Sequence, residues 1–531
     1  MWIGECILCT GESLKSMVLL PLKNELIFSL DIWNEWLNKI ENRSSIKKYI
    51  HFDHPIEFSN KKEKLKKLFS TPGAISKHSF LPLIKIITKT PRYKYQEDLE
   101  RYSLETKERP ISFASHFDTL VYGYYAFALG KNYQKQIHSS GFSDSILAYR
   151  TDLGGKCNIQ FSKEVFEYIR NRGECSAIAL DIKGYFDSID HQILKSMWAK
   201  VLGKTLDSDD YAIFKSLTKY SYIKQTTLLK HFDLSVRGKN VRRPTSYSNI
   251  IPGKTEAEKL SKVREGNLIV TNKSYREADG KKFYYGVPQG SSLSALLSNI
   301  YLIEFDEYMS HLGKKLNFLY RRYCDDILIV CNTSDVLGLK DETIRKIQEE
   351  FHLTIQSQKV ELIEFKRNSR NKLRGYNLTK LLANNATSYT ENNDESSYYK
   401  SLQYLGFEFN GQKILIRNSS LSRYFRKMRA RIVKSVGMAY GAKGHSDQVF
   451  KKQIFHRYTH LGKRNFLHYA YQASQKSYRV SRGLKEGMDS PAIKKQIARH
   501  FDVILKSLSI KNRKRFLHKL KTDEGLKIKS V

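Results

Sequence analysis

Two adjacent carboxylates, Asp325 and Asp326, stand between apolar-rich runs in Leu319–Cys331 (LYRRYCDDILIVC), and few folds tolerate that arrangement. The pattern predicts a tight hairpin with the acids at its tip. Neighbouring carboxylates repel, so folding alone does not favour them there. A divalent cation removes the objection, because paired carboxylates are the hard oxygen ligands that Mg²⁺ takes alongside phosphate oxygens. A third acid comes from Ser176–His191 (SAIALDIKGYFDSIDH), where the apolar run Ala177–Leu180 predicts a buried strand ending at Asp181. A helix is predicted over Ile189–Val201, with Asp190 as its N-cap. By itself an aspartate after a strand is as readily a cap or turn residue. With the pair at the hairpin it completes a set that would hold two ions about 3.5–4 Å apart, the arrangement that activates a hydroxyl and stabilises a leaving pyrophosphate.

Between these segments lies Tyr285–Leu302 (YGVPQGSSLSALLSNIYL). A turn-rich entry, Gly286–Gly290, precedes a helix that Ser291 or Ser292 caps and whose apolar face carries Leu293, Leu296, Leu297, Ile300 and Tyr301. The helix is ordinary; the loop is less so, since the Gln289 amide is suited to meet a nucleotide or template base. The charge agrees. Lys and Arg number 91 against 54 Asp and Glu, a net +37 across 531 residues. Such a surplus repels itself unless a polyanion offsets it, which points to nucleic acid and away from a small acidic metabolite. From Asn418 onward 28 Lys and Arg face 6 Asp and Glu, so a surplus of 22 lies in the C-terminal region.

The remaining sequence excludes more than it assigns. Cys6, Cys9, Cys157, Cys175, Cys324 and Cys331 lack the spacing of a disulfide framework, and Cys6–Cys9 is a lone CxxC without a second ligand pair. The N-terminus lacks a secretory pattern and no apolar run reaches the length of a membrane span, so a reduced, cytoplasmic protein is expected. A helix is expected over Asp118–Leu129, amphipathic character over Leu30–Ile50, and a solvated helix face over Lys61–Lys67. The stretch 204–282, with its run Arg237–Arg243, reads as a basic insertion. The stretch 368–398 reads as a mobile polar loop.

In order, Asp181-Ile-Lys-Gly-Tyr-Phe186, Gly286-Val-Pro-Gln-Gly290 and Tyr323-Cys-Asp-Asp326 resemble the palm of reverse transcriptases, the tip being similar to that of retroviral, group II intron and retron enzymes. The resemblance implies an α+β, right-hand polymerase with fingers, an antiparallel palm sheet and a helical thumb. It divides the chain into an N-terminal helical region (1–80), fingers (81–175), palm (176–415) and a basic helical thumb with C-terminal extension (416–531). It further implies that Asp181, Asp325 and Asp326 bind two Mg²⁺ ions, with Mn²⁺ as the substitute, and that Ile182 contributes beside Asp181 to the metal and nucleotide site. Phe186 takes the place of the aromatic that blocks a ribose 2′-hydroxyl. Gln289 lines the nucleotide pocket, Arg109 of Arg109-Pro110-Ile111 clamps the triphosphate with Lys107 beside it, and Lys359 protonates the leaving group. Tyr404–Phe407 is similar to a primer grip.

Ile146–Arg150, Asn158, Leu405–Gly411, Ile414–Arg417 and Tyr458–Phe466 look like the bacterial abortive-infection and unknown-group reverse transcriptases, which act in antiphage defence. That resemblance implies deoxynucleoside triphosphates as substrates, a DNA product, and RNA, commonly a cognate noncoding RNA, as template or scaffold. Its phosphates would suit the basic C-terminal region, and Tyr and Phe between Tyr404 and Phe455 would suit stacking on unpaired bases. No membrane partner is implied, and a homo-oligomer stays open. Two other readings remain at this stage. One is a template-independent or repeat-synthesising nucleotidyl transferase; the other is an RNA-binding scaffold on an inactive polymerase fold.

Overall fold

A computed structural model describes residues 27–41, 49–56, 58–96, 100–232, 251–278, 280–383, 395–441, 448–481 and 483–528. Cys6, Cys9 and the run Arg237–Arg243 lie outside them. The chain forms two compact units, each assembled from separated segments: Met1–Ser143, Gly184–Glu307 and Phe351–Leu353 in the first, Asp144–Lys183, Tyr308–Glu350 and Thr354–Val531 in the second.

The first unit carries a four-stranded sheet ordered β2-β1-β4-β5, from β1 (Leu83–Gln96), β2 (Arg101–Phe113), β4 (Ser221–Lys224) and β5 (Val270–Thr271). β1 and β2 form a long antiparallel pair, whereas β4 joins β1 in parallel through Leu83↔Tyr222 to Lys85↔Lys224. Residues of 204–282 are therefore built into this unit. Ile223, Leu228, Ile251, Val263 and Leu268 bury themselves with Phe52 and Ile84 in one apolar cluster, and a second antiparallel ribbon pairs β6 (Tyr275–Ala278) with β7 (Lys281–Tyr284). The expected helix runs over His116–Ser139, where the Ser115 hydroxyl accepts from the Asp118 N–H. Its Tyr124 stacks on Phe69 at 4.0 Å and meets Trp36 edge-on at 5.4 Å. Leu30–Glu41 and Lys62–Ser70 are the helices expected from Leu30–Ile50 and Lys61–Lys67.

His51 is buried beside these elements, its Nε2 at 3.3 Å from the Phe113 carbonyl. Burial pushes its imidazole down to about 4, against the opposing fields of Asp53 and Asp118. The unfolded chain therefore binds more protons than the folded one between about 6.5 and 4, so this contribution to stability is lost as pH falls through that window. Melting curves should show roughly 3 kcal/mol less stability from this group at pH 4, and His51→Gln should flatten the dependence.

The second unit holds the antiparallel sheet β11-β10-β3-β9-β8, from β3 (Cys175–Asp181), β8 (Leu319–Tyr323), β9 (Asp326–Cys331), β10 (Glu361–Arg367) and β11 (Leu373–Asn377). Val165, Phe166 and Ile169 of the helix Asn158–Arg172 share one core with Ala177, Leu328, Val330, Ile363 and Phe365 of the sheet. A small sheet of β12 (Leu402–Tyr404), β13 (Phe407–Phe409) and β14 (Ile414–Ile416) extends that core. The helix Asn418–Ala439 buries Tyr424, Met428, Ile432 and Val436 at four-residue spacing, so a single apolar stripe faces inward. The fold is thus α+β.

Two expectations change here. Within 368–398, β11 and the helix Leu378–Ala383 are regular elements, Tyr376 being buried with its hydroxyl donating to Glu395 at 2.5 Å, while 384–394 lie outside the described residues. Tyr404, Phe407, Phe409 and Tyr424 are buried in the core and cannot stack on bases, while Phe450 is exposed. Among the described residues no helix is long and apolar enough to cross a membrane, and Cys157, Cys175, Cys324 and Cys331 are free thiols.

Candidate active site

In the second unit the antiparallel register sets Asp181, the last residue of β3, directly opposite Asp326, the first of β9. β8 and β9 are joined by a two-residue turn, Cys324-Asp325, closed by the Tyr323↔Asp326 pair. Cys324 sits at φ 59°, a left-handed conformation usually left to glycine. Several bonds fix this strained tip. Arg322 is fully buried and donates from Nη1 to the Cys324 carbonyl at 3.0 Å. The Leu147 N–H donates to the Arg322 carbonyl at 2.9 Å, and the Ile182 N–H to the Asp325 carbonyl at 3.0 Å. On the other side of Asp181, Gln356 N–H donates to its carbonyl at 2.9 Å and Lys183 N–H to the Thr354 carbonyl at 2.8 Å.

That second pair of bonds turns Ile182 away from Ile355, its bridge partner, and toward the hairpin tip. In extended backbone a residue's N–H and C=O project to the same side, so the Ile182 carbonyl is available to the acids. Lys359, in the turn Ser357–Lys359, places Nζ 2.5 Å from Asp181 Oδ1. The Asp326 carboxyl is pushed up to about 7, first by desolvation, then by repulsion from Asp325 and Asp181, against the pull of Lys359 and Arg417. Although Asp326 keeps an exposed flank, three acids around one turn are uncomfortable without a cation.

The donor set fits a hard divalent ion: carboxylates from two adjacent strands, one backbone carbonyl, and an ammonium already standing on Asp181 as a surrogate cation. Among the described residues no group of three His, Cys, Asp or Glu side chains is drawn tightly enough together to form a closed metal cage.

The first unit gathers the other expected residues. Phe186 lies half-buried in the short helix Tyr185–Ser188, and its carbonyl accepts from the Val287 N–H at 2.8 Å. The Gly286 N–H donates to the Ile189 carbonyl, also at 2.8 Å, so the Gly286–Gly290 loop is laced to Phe186 through main-chain bonds. Gln289 is exposed, and its carbonyl accepts from the Ser112 N–H at 2.8 Å. Ser112 belongs to β2, the strand that carries exposed Arg109 opposite Thr88. Phe186, Gln289 and the Arg109 strand thus form one backbone-linked group. Asp190 and Ser291 cap their helices as expected, the first accepting from Gln192 and Ile193, the second from Ser294.

Sequence reasoning missed Arg322 as a support of the hairpin. Its signal was present: alternation along β8 buries Tyr320 and Arg322 together, and a buried arginine needs carbonyl or acidic partners. Tyr149, within Ile146–Arg150, is a further neighbour of Cys324 at the tip and itself takes a left-handed backbone, φ 58°. Asn158 Nδ2 donates to the Leu405 carbonyl at 3.3 Å, at the turn where Leu405 and Gly406 take φ 45° and 95°.

The sheet topology and the acid-tipped hairpin are those of a right-hand polymerase fold. Residues 251–409 match the family model described as Reverse transcriptase (RNA-dependent DNA polymerase). The match includes Gln289, Asp325, Asp326 and Lys359, stops short of Asp181, Phe186 and Arg109, and supports a reverse transcriptase, that is, an RNA-directed DNA polymerase. No curated protein matches the chain. Solved structures similar to it include a telomerase from Candida albicans with a TWJ fragment of telomeric RNA, at 13% identity and TM-score 0.31 over 86% of this chain. An apo telomerase from Candida Tropicalis aligns at 12% identity and TM-score 0.32 over 93% of this chain. This chain spans 65% and 64% of those two, under two thirds. At such TM-scores the likeness decides neither fold nor function.

Proposed function

We propose that the protein synthesises DNA on an RNA template by two-metal nucleotidyl transfer, in antiphage defence and with an associated noncoding RNA. The observation that carries the chemistry is the Asp181–Asp326 register with Asp325 at the adjoining turn. Mg²⁺ bound there would activate a primer 3′-hydroxyl and offset charge on the leaving pyrophosphate. Asp181, Asp325, Asp326 and the Ile182 carbonyl are its ligands in this reading. Lys359, already hydrogen-bonded to Asp181, moves a proton to the leaving group. Arg109 and Lys107 bind the triphosphate, Gln289 contacts the nucleotide, and Phe186 closes the space that a 2′-hydroxyl needs. Support for the defence role comes from the resemblance of Ile146–Arg150 and Asn158 to the corresponding stretches of that group. A plaque assay checks it: protection by the wild type that is lost with Asp325→Ala plus Asp326→Ala is the expected result.

Two further measurements bear on the site. Phe186→Ala should raise ribonucleotide incorporation relative to deoxynucleotide by about 10–200-fold, the range that shape exclusion of a small group supplies; unchanged sugar selectivity removes Phe186 from that role. Mg²⁺ should raise the melting temperature more at pH 8 than at pH 5.5, because ion binding must compete with the proton that Asp326 retains up to about 7. The double alanine variant should lose the Mg²⁺ response at both pH values.

A further inference from the structure

The first unit carries an aromatic and basic strip that none of the proposed catalytic residues uses. It runs from the helix Ser208–Thr218 to the β6–β7 ribbon. Tyr211, Tyr275 and Tyr284 on it are 42%, 44% and 46% exposed. Tyr211 stacks with Phe214 at 6.1 Å and 24°, and Lys195 Nζ lies 5.3 Å over the Tyr211 ring. Tyr275 and Tyr284 are cross-strand partners with ring centroids 6.0 Å apart, and Lys282 Nζ lies 4.7 Å over Tyr275.

Between the helix and the ribbon opens a cavity of about 100 Å³ bordered by Tyr211, Phe214, Tyr284, His191, Lys215 and Lys219. That volume is of the order that takes a single flat ring. Neither Lys195, Lys215, Lys219 nor Lys282 makes an ion pair among the described residues. The acids at the far end of the helix are already engaged: Asp207 by Lys204, Asp209 by the N–H groups of Gly73 and Ser76. The strip therefore presents flat π faces and uncompensated cations. His191 ties it to the nucleotide loop, its Nε2 donating to the Gly286 carbonyl at 2.9 Å. Burial holds that imidazole below its usual range, so the bond is made by a neutral ring.

We propose that this strip binds single-stranded RNA, one unpaired base entering the cavity between Tyr211 and Tyr284 while Lys195, Lys215, Lys219 and Lys282 meet the flanking phosphates. Every base has a π face and every step a phosphate, so aromatic rings interleaved with lysines hold an unpaired strand without reading its sequence. Duplex offers no free base to the cavity. The choice of RNA over another polyanionic strand rests on the reverse-transcriptase reading; the site itself does not.

The test is fluorescence anisotropy of the full chain with a short single-stranded RNA, its duplex, and the matching single-stranded DNA, in EDTA so that no synthesis occurs. Tyr211→Ala with Tyr284→Ala should weaken single-stranded RNA binding about tenfold or more, as loss of base stacking does, and leave duplex binding unchanged. Tyr211→Phe with Tyr284→Phe should bind as wild type, which separates loss of the rings from loss of the fold. Lys215→Gln with Lys219→Gln should lower the salt slope for single strands by about 1.4. Unchanged single-strand affinity in the double alanine variant overturns the proposal, as does an equal loss for duplex. Tighter binding of DNA than RNA overturns the assignment to RNA. Primer extension by wild type at saturating template keeps the two readings apart: synthesis with an inert strip defeats this proposal alone, whereas strip-dependent binding without synthesis defeats the polymerase.

Discussion

Alanine at both Asp325 and Asp326 should reduce deoxynucleotide incorporation by roughly 10³-fold or more, since removing ligands worth several kcal/mol of charge stabilisation costs a factor of ten per 1.4 kcal/mol. The protein should stay folded. Asp326 is held above its ordinary carboxylate range by desolvation and by its acidic neighbours, so in the folded state its ionised form is disfavoured. The folded chain retains that proton where the unfolded chain has lost it, and the associated stability declines as pH rises from about 4 toward about 7. Removing the carboxyl removes this liability. The melting temperature at pH 8 without divalent ion should therefore equal or exceed that of the wild type, while activity disappears. An inactive variant that had also unfolded would say nothing about the acids, so activity and melting must be measured on one preparation.

Gly290→Ala should be strongly damaging, and it bears directly on the Gln289 loop. Gly290 takes φ 140°, a backbone region closed to side chains, and a Cβ there would lie 2.4 Å from the Ser112 carbonyl oxygen. The obstacle is main chain of β2, which cannot turn aside as a flexible side chain would. Strain at such a φ and the forced displacement together cost about 3 kcal/mol. The displacement also breaks the Ser112–Gln289 main-chain bond, so Gln289 is misplaced even in molecules that fold. Gly123 provides the contrast. It lies within the helix His116–Ser139 and a Cβ there would meet nothing within 4 Å. Gly123→Ala should raise stability by about 0.5–1 kcal/mol and leave synthesis untouched. Urea titrations of the two variants beside the wild type check both signs.

Much of the local structure around the candidate site residues is legible in the sequence because its determinants are local. A short apolar run ending in Asp181, an apolar hairpin interrupted by two acids, and serine or aspartate before an apolar helix each report on their immediate neighbours. Strand β3, the two-residue turn and the caps at Asp190 and Ser291 stand where those patterns place them. What escaped is non-local. The stretch 204–282 reads as polar and insertion-like by composition, yet Ile223 finds its partner Ile84 across the chain in a parallel pair, a relation that periodicity within either segment cannot express. Tyr376 hides its ring and turns its hydroxyl to Glu395, so a polar stretch gains a strand that hydropathy alone misses. Tyr404 and Phe409 look available for stacking beside so many lysines and arginines, but alternation in β12 and β13 commits them to the core. Arg322 follows the same alternation inward, and only the fold reveals that it holds the Cys324 carbonyl.

The most direct test of the central claim is templated synthesis by the purified wild type. The protein, a defined RNA template with an annealed DNA primer, Mg²⁺ and the four deoxynucleotides are combined, and the product is sequenced. The account predicts a DNA strand complementary to the RNA, made by the wild type and not by the Asp325→Ala, Asp326→Ala variant. Strand growth that ignored the template, or wild type and variant yielding the same product, would contradict it.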